Sequence, residues 1–370
     1  MGAPPLRAAL LGAGRRTTDS LAPIARALPG LEPVCLWSRS PATARAAGGA
    51  LGLPASDDLG ALVAEHAPDV AIVAPTATMN GQVSIGALRR GMHVLTETPV
   101  AWTVDEADGV IAAAEEAGRL VEVAEQFHRR PLEALKRRCL DEGVFGAAHT
   151  AFVDSEGHGY HGASLVRSLL SLDARVKRVI GLEMKYPLAD PDHPEDFQQH
   201  GLIELETGQL GVFRWSGPAY FSRVRPCEGS RFLAERGGWR SVRLGGDFEH
   251  FVELLGSDEA GRGLTIEREA HGPTGTTLAL HADLRDGSGR RVTWTNPFAD
   301  LVADRSLAWS DDTIAIAECV QSLVTAIRTG TPPSYGPVQA RRDLVVCEAM
   351  GESARTGGAP VECLGRDRKS

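Results

Sequence analysis

The chain has 370 residues, of which 43% are hydrophobic and 24% charged, with 41 glycines and 22 prolines. That length leaves room for about two domains and buries roughly three quarters of the unfolded surface, which excludes disordered, fibrous and disulfide-dependent architectures. Lysine and arginine number 39 against 48 acidic residues, a net charge of −9, and no long basic run is present to serve a nucleic-acid partner.

Six cysteines (Cys35, Cys139, Cys227, Cys319, Cys347 and Cys363) are scattered without a CxxC pair, so neither a disulfide framework nor a metal site is expected. The first apolar run is short and broken by glycines, and no apolar segment follows Arg15-Arg16, as a signal would require. No stretch reaches the ~20 apolar residues of a membrane span. A soluble, cytoplasmic protein without a membrane partner is expected.

Along the chain, apolar runs predict strands at Leu6–Leu11, Leu31–Trp37, Val70–Ala74, His93–Thr96 and Leu120–Ala124. Helices are predicted between them at Ser20–Leu28, Ala42–Leu51, Asp57–Glu65, Val83–Arg90 and Val104–Ala117. This alternation predicts a parallel sheet with helices on both faces. After Arg130-Pro131 the rhythm changes. Helices are predicted at Leu132–Glu142 and Gly162–Leu172 around a strand at Ala148–Asp154. Alternating segments from Val176 to Phe298 then predict a large, mainly antiparallel open sheet, with hairpins at Thr207-Gly208 and Asp286–Gly289. Helices at Asp312–Arg328 and Gly336–Ala354 close the chain. The fold class is α/β: an N-terminal dinucleotide-binding domain over residues 1–127 and a C-terminal α+β substrate and dimerisation domain over residues 128–370.

Gly12-Ala13-Gly14-Arg15-Arg16-Thr17 lies between the first strand and the first helix. The first glycine permits a tight turn and the second lets the backbone approach a pyrophosphate at the helix N-terminus; Thr17 replaces the third. Two close glycines also suit an ordinary turn, but their place in the first strand–helix unit favours a dinucleotide. The second strand ends Trp37-Ser38-Arg39-Ser40, with no acidic residue to bind the ribose of NAD. Ser38 and Arg39 instead suit a 2′-phosphate, with Arg15 or Arg16 as a second cation, so the expected cofactor is NADP(H). The competing reading of Arg39 is a solvated charge at a strand end.

Three further segments, Ala71–Thr76 (AIVAPT), Gly91–Pro99 (GMHVLTETP) and Arg341–Ala354 (RRDLVVCEAMGESA), resemble the Gfo/Idh/MocA oxidoreductases. The resemblance runs through nearly the whole chain and is strongest over residues 6–135. It implies a Rossmann domain followed by an α/β domain whose open sheet often mediates dimers, a nicotinamide cofactor, and a sugar, cyclitol or related small-molecule substrate. It also implies that Pro75 and Thr76 line the cofactor cleft and that Glu97 sits near the nicotinamide ribose.

Two departures from the family pattern stand out. The family's Glu-Lys-Pro is here Glu97-Thr98-Pro99. A threonine hydroxyl can exchange hydrogen bonds but carries no charge. The chain has only four lysines, Lys136, Lys177, Lys185 and Lys369. Of these, Lys185 is the candidate replacement, against the plainer reading of an exposed lysine. In the family's D-x-G-x-H-x-x-D region, His161 matches the histidine, while Gly157 and Ser164 stand where the aspartates would be. The segment gains His158 and Tyr160, which with His161 form a candidate acid–base cluster on a glycine-flanked loop entering a helix. Asp154 is a candidate to orient one imidazole. Gln126 and His128, after the last strand of the first domain, are placed to face cofactor or substrate. Arg129 and Arg130 read equally well as an interdomain hinge.

These residues suggest an NADP(H)-dependent oxidoreductase acting on a hydroxyl/carbonyl or amine/imine pair of a sugar-like or secondary-metabolite substrate. A His/Tyr proton donor replaces the family lysine, Thr98 is a hydrogen-bonding group only, and a homo-oligomer (dimer or tetramer) is expected. Two alternatives remain open at this level: a redox-neutral or non-redox enzyme (isomerisation, elimination or cyclisation), and a non-catalytic nucleotide-binding protein.

Overall fold

The structure, a computed structural model, describes residues 4–154, 158–189, 195–216, 229–244, 247–255, 263–285, 287–303 and 307–366. Its contacts divide the chain into two compact units. One comprises Met1–Arg129, His271–Thr276 and Pro297–Arg341; the other comprises Arg130–Ala270, Thr277–Asn296 and Arg342–Ser370. The first unit thus includes the helix Asp311–Thr329, which the sequence reading placed in the second domain.

The first unit is built on six parallel strands: β1 (Leu6–Leu11), β2 (Leu31–Trp37), β3 (Ala55–Ser56), β4 (Val70–Val73), β5 (His93–Thr96) and β6 (Val121–Val123). Their order is β3-β2-β1-β4-β5-β6, the doubly wound arrangement whose direction reverses between β1 and β4. The last four residues of β1 and all of β4 are buried, as continuous apolar runs in a sheet covered on both faces should be. Helix 311–329 lies against β5 and β6.

Local chemistry sets the helix boundaries. Ser40, Asp58 and Thr103 accept from the backbone N–H groups of Thr43, Ala61 and Glu106 at the starts of the helices Pro41–Leu51, Leu59–His66 and Val104–Ala117. The first helix begins earlier than the predicted Ser20. A π-type turn over Arg16–Leu21 runs into the α-helix Ala22–Ala27, and the amide of Ala22 reaches back to the Thr17 carbonyl. The helix after β4 likewise starts at Asn80, before the predicted Val83.

In the second unit the strands divide into two sheets, where the sequence reading expected one. Eight strands form a mixed sheet: β7 (Ala148–Asp154), β8 (Val176–Pro187), β9 (Glu195–Leu205), β10 (Leu210–Ser216), β11 (Gly229–Ala234), β12 (Gly237–Leu244), β13 (Asp247–Leu254) and β17 (Val361–Glu362). Within it β7 and β10 are parallel, a pairing that alternation along each strand cannot reveal. The strands β14 (Leu264–Ala270), β15 (Thr277–Leu284) and β16 (Arg291–Thr295) form a separate antiparallel sheet, against which helix Pro131–Asp141 packs. The hairpin at Thr207-Gly208 joins β9 to β10, with Gly208 at φ +83°. The other predicted hairpin begins at Asp286, which lies outside the described residues.

Cross-strand register places Leu182, Tyr186, Leu202, Leu210, Leu233 and Phe251 on one face of the eight-stranded sheet, and all six are exposed. The other face is covered by helix Gly159–Leu170, which sits directly on β10 because Gly162 has no Cβ; one there would stand 1.9 Å from the Phe213 ring. Among the described residues no helix is long and apolar enough to cross a membrane. The five described cysteines are free, and Cys227 lies outside the described residues.

Candidate functional site

In the first unit the glycine turn closes against the end of β4. Gly12 has φ +134°, and a Cβ there would lie 2.2 Å from the Ala74 carbonyl oxygen, so only glycine fits. A Cβ on Gly14 would meet no protein atom within 4 Å, which leaves open space over the turn. Thr17 replaces the third glycine at no steric cost: it is fully buried, with its hydroxyl 3.5 Å from the same carbonyl of Ala74.

A cavity of about 290 Å³ lies beside this turn, lined by Gly12, Gly14, Trp37, Ser38, Arg39, Ser40, Pro75 and Thr76 among others. Arg39 is exposed at its mouth, and no ion pair holds it among the described residues. Trp37 is fixed by donation from its indole N–H to the Asp57 carbonyl at 2.9 Å. Arg15 is almost wholly exposed and pairs with Asp19 at 3.3 Å. Arg16 turns elsewhere, with its Nε 2.5 Å from Oε1 of Glu97.

The carboxyl end of β5 supplies the next part. Glu97 is half-buried, and its Oε2 accepts from the Thr98 amide at 3.2 Å. The Thr98–Pro99 peptide is cis. Asn80, which the sequence reading did not single out, is buried and donates to the carbonyls of Glu97 at 3.0 Å and Pro99 at 2.8 Å. A polar residue at a helix start was its only local signal.

Beyond β6, Gln126 is buried and its Oε1 has no hydrogen-bond partner. The His128 ring lies against the buried Tyr335 ring, with centroids 4.9 Å apart. Arg129 forms a buried ion pair with Glu122, which also accepts from Ser322 Oγ at 2.7 Å. Burial drives the Glu122 carboxyl upward against that guanidinium, and drives the neighbouring Glu318 up to about 7. An open glycine turn, an exposed arginine on the cavity and an orphaned carboxamide oxygen together fit a dinucleotide: donors for phosphates, a cation beside them and an acceptor for an amide.

In the second unit, His158 caps the helix Gly159–Leu170, so Tyr160 and His161 occupy its first turn rather than a loop. The Tyr160 and His161 rings are 4.5 Å apart, and His158 lies 5.7 Å from Tyr160 and 5.8 Å from Trp215. His161 is buried. Partial burial, then the proximity of His161, pulls the His158 imidazole below its ordinary range. Ser164 is fully buried and spends its hydroxyl on the His161 carbonyl at 3.1 Å. Gly157 lies outside the described residues. Asp154 pairs with Arg214 at 3.1 Å, and the imidazole that feels its charge is His200. Lys185 is largely exposed on β8 and pairs with Glu195 at 3.0 Å. Among the described residues, no group of three His, Cys, Asp or Glu side chains is placed to hold a metal ion.

Residues 6–125 match the model of the Gfo/Idh/MocA family, described as an oxidoreductase family with an NAD-binding Rossmann fold. The matched stretch spans all six strands of the first unit's parallel sheet. Among curated proteins, the chain is similar to a dTDP-3,4-didehydro-2,6-dideoxy-alpha-D-glucose 3-reductase of Streptomyces violaceoruber. The two are 25% identical over 293 residues, which cover 78% of this chain and 80% of that protein. Solved structures similar over the whole length include an aldose-aldose oxidoreductase from Caulobacter crescentus complexed with glycerol (TM-score 0.69, 18% identity, 97% of this chain and 99% of that one). A WlbA dehydrogenase from Bordetella pertussis, complexed with NADH and UDP-GlcNAcA, gives a TM-score of 0.68 at 17% identity over 97% of this chain and 98% of that one. At these identities the structural likeness speaks to the fold.

Proposed function

We propose that the protein is an NADP(H)-dependent oxidoreductase that interconverts a hydroxyl and a carbonyl (or an amine and an imine) on a sugar-like substrate. The observation that carries the cofactor choice is Arg39, exposed on the cavity beside the glycine turn where an NAD-specific site would carry a carboxylate. The nicotinamide, when bound, gives or takes the hydride. The chain's own residues bind and orient. The turn over Gly12, Gly14 and Thr17 holds the pyrophosphate, Ser38 and Arg39 take the 2′-phosphate, and Pro75, Thr76, Glu97 and Gln126 flank the remainder.

His161 moves the proton, with Tyr160 and His158 beside it in the same helical turn. Thr98 donates a hydrogen bond to substrate or water, and His128 and Lys185 are further substrate-contact candidates. The named relatives act on or bind sugars and sugar nucleotides, which supports a substrate of that class. Six exposed apolar side chains, set among charged ones on one face of the eight-stranded sheet, support a homo-oligomer (dimer or tetramer), and a cytoplasmic location suits a nicotinamide enzyme.

One observation favours a second reading. Position 98 is neutral and the first unit contains no lysine, which suits a redox-neutral isomerisation or elimination on the same scaffold. The two readings separate in a screen of aldoses and dTDP- and UDP-sugars against oxidised and reduced cofactor, run on wild type and His161→Ala. The main reading expects net change in nicotinamide absorbance with wild type. It expects about 10²–10⁴-fold less in the variant, with cofactor affinity kept. Product formed without net cofactor change would favour the second reading, and unchanged turnover in His161→Ala would remove His161 from the chemistry.

A further inference from the structure

The reversal of strand order between β1 and β4 divides a bound dinucleotide. Its adenosine half goes to the end of β2, at Ser38 and Arg39, and its nicotinamide half goes over the ends of β4 and β5. Glu97 follows β5 directly and so stands on the nicotinamide side. This placement rests on the reading proposed above.

A carboxylate there is not electrically neutral toward the cofactor. The oxidised nicotinamide ring carries a positive charge that the reduced ring lacks. An unpaired Glu97 would therefore bind the oxidised form more tightly, and a nearby cation would do the reverse. In this chain the neighbour in sequence, Thr98, brings no charge, and no lysine exists anywhere in the first unit. The counter-charge comes instead from the glycine turn. Arg16 places Nε 2.5 Å from Oε1 of Glu97, with both side chains largely withdrawn from solvent at 33% and 13% exposure. Burial works against the Arg16 charge, but Glu97 outweighs it with help from Asp312, so the guanidinium is raised above its ordinary range and stays charged.

We propose that Arg16 sets the redox preference of the bound nicotinamide, because its guanidinium cancels the Glu97 carboxylate that would otherwise favour the oxidised ring. Arg16 acts through Glu97 and is a positioning residue for charge, distinct from the arginine that reads the 2′-phosphate.

The test needs no substrate. NADPH and NADP⁺ are titrated separately into wild type, Arg16→Gln, Arg16→Lys, Glu97→Gln and the Arg16→Gln/Glu97→Gln double variant, with thermal unfolding recorded for each. The quantity read is the ratio of the NADP⁺ dissociation constant to that of NADPH. Arg16→Gln is expected to lower the ratio by about 3- to 10-fold, the size of a partly screened charge at close range. Glu97→Gln should raise it by a similar factor, and the double variant and Arg16→Lys should return it to within about twofold of wild type. A purely structural ion pair would lower melting temperature and weaken both affinities together, leaving the ratio unchanged; that result overturns the proposal. If Arg16→Gln does not fold, Glu97→Gln and Arg16→Lys decide alone, and an unmoved ratio in Glu97→Gln is again a refutation. Failure of wild type to bind either nucleotide would be a different result: the oxidoreductase reading falls, and this proposal with it.

Discussion

Asn80 holds Glu97 in place: its carboxamide donates to the Glu97 carbonyl at 3.0 Å and, one peptide past Thr98, to the Pro99 carbonyl at 2.8 Å. A side chain at the start of the helix after β4 thus fixes the backbone leaving β5, and with it the carboxylate that Arg16 pairs. Replacing Asn80 by Ala removes its donor from both carbonyls and leaves that of Glu97 only the Thr96 hydroxyl at 3.3 Å, which costs about 1–3 kcal/mol in this buried setting. Chemical denaturation should show that loss, and nicotinamide titration should show weaker binding of both redox forms. Unchanged stability and affinity would mean that the loop holds itself.

The two glycines of the first turn should fail in different ways. Gly12→Ala drives a Cβ into the Ala74 carbonyl at 2.2 Å from a φ of +134°, so the fold itself should lose several kcal/mol or not form. Gly14→Ala meets no protein atom within 4 Å, so its melting temperature should match wild type while nucleotide affinity falls at least tenfold. Thermal unfolding beside a binding titration reads both. A Gly14→Ala protein that binds normally would argue that no pyrophosphate crosses the turn there.

Much of the first unit was legible because its strands are short, mostly apolar runs between helix-compatible segments. Leu6–Leu11, Leu31–Trp37 and His93–Thr96 lie where the sequence reading put them. The start of the first helix was not legible, since a π-type turn over Arg16–Leu21 leaves no 3.6-residue periodicity. Asn80 was missed for the same reason: Thr-Met-Asn has no apolar spacing. In the second unit, alternation marked strands but could not say which ones pair, and so hid the division into two sheets. The Arg16–Glu97 pair joins residues 81 positions apart, a separation at which neither side chain carries a local signal of the other. The motif singles out His161 as a candidate, whereas its place in a helical first turn came only from the structure.

Stability should depend on pH through histidines held neutral by the fold. Burial, then Lys136, takes His250 down from an ordinary 6.5 to about 4. Between about pH 6.5 and 4 the unfolded chain binds a proton that the folded chain refuses. Stability is therefore full above that window and falls as pH drops through it, by up to about 3 kcal/mol. His93, His158 and His200 are also lowered and act in the same direction. Urea unfolding at pH 7 and pH 5 should show the loss in wild type and a smaller loss in His250→Gln. Equal slopes would show that His250 is not the group responsible.

Cofactor choice turns on Ser38 and Arg39 at the end of β2, and one measurement reaches it directly. Purified wild type and Arg39→Ala are titrated with NADPH and with NADH, following nicotinamide fluorescence. Wild type should bind NADPH at least about tenfold more tightly than NADH, the scale of one charge-assisted contact to the 2′-phosphate. Arg39→Ala should lose that preference while its NADH affinity stays unchanged. Equal or tighter binding of NADH by wild type, or a preference that survives the loss of Arg39, would contradict the assignment of the 2′-phosphate site. Failure to bind either nucleotide would contradict an oxidoreductase function altogether.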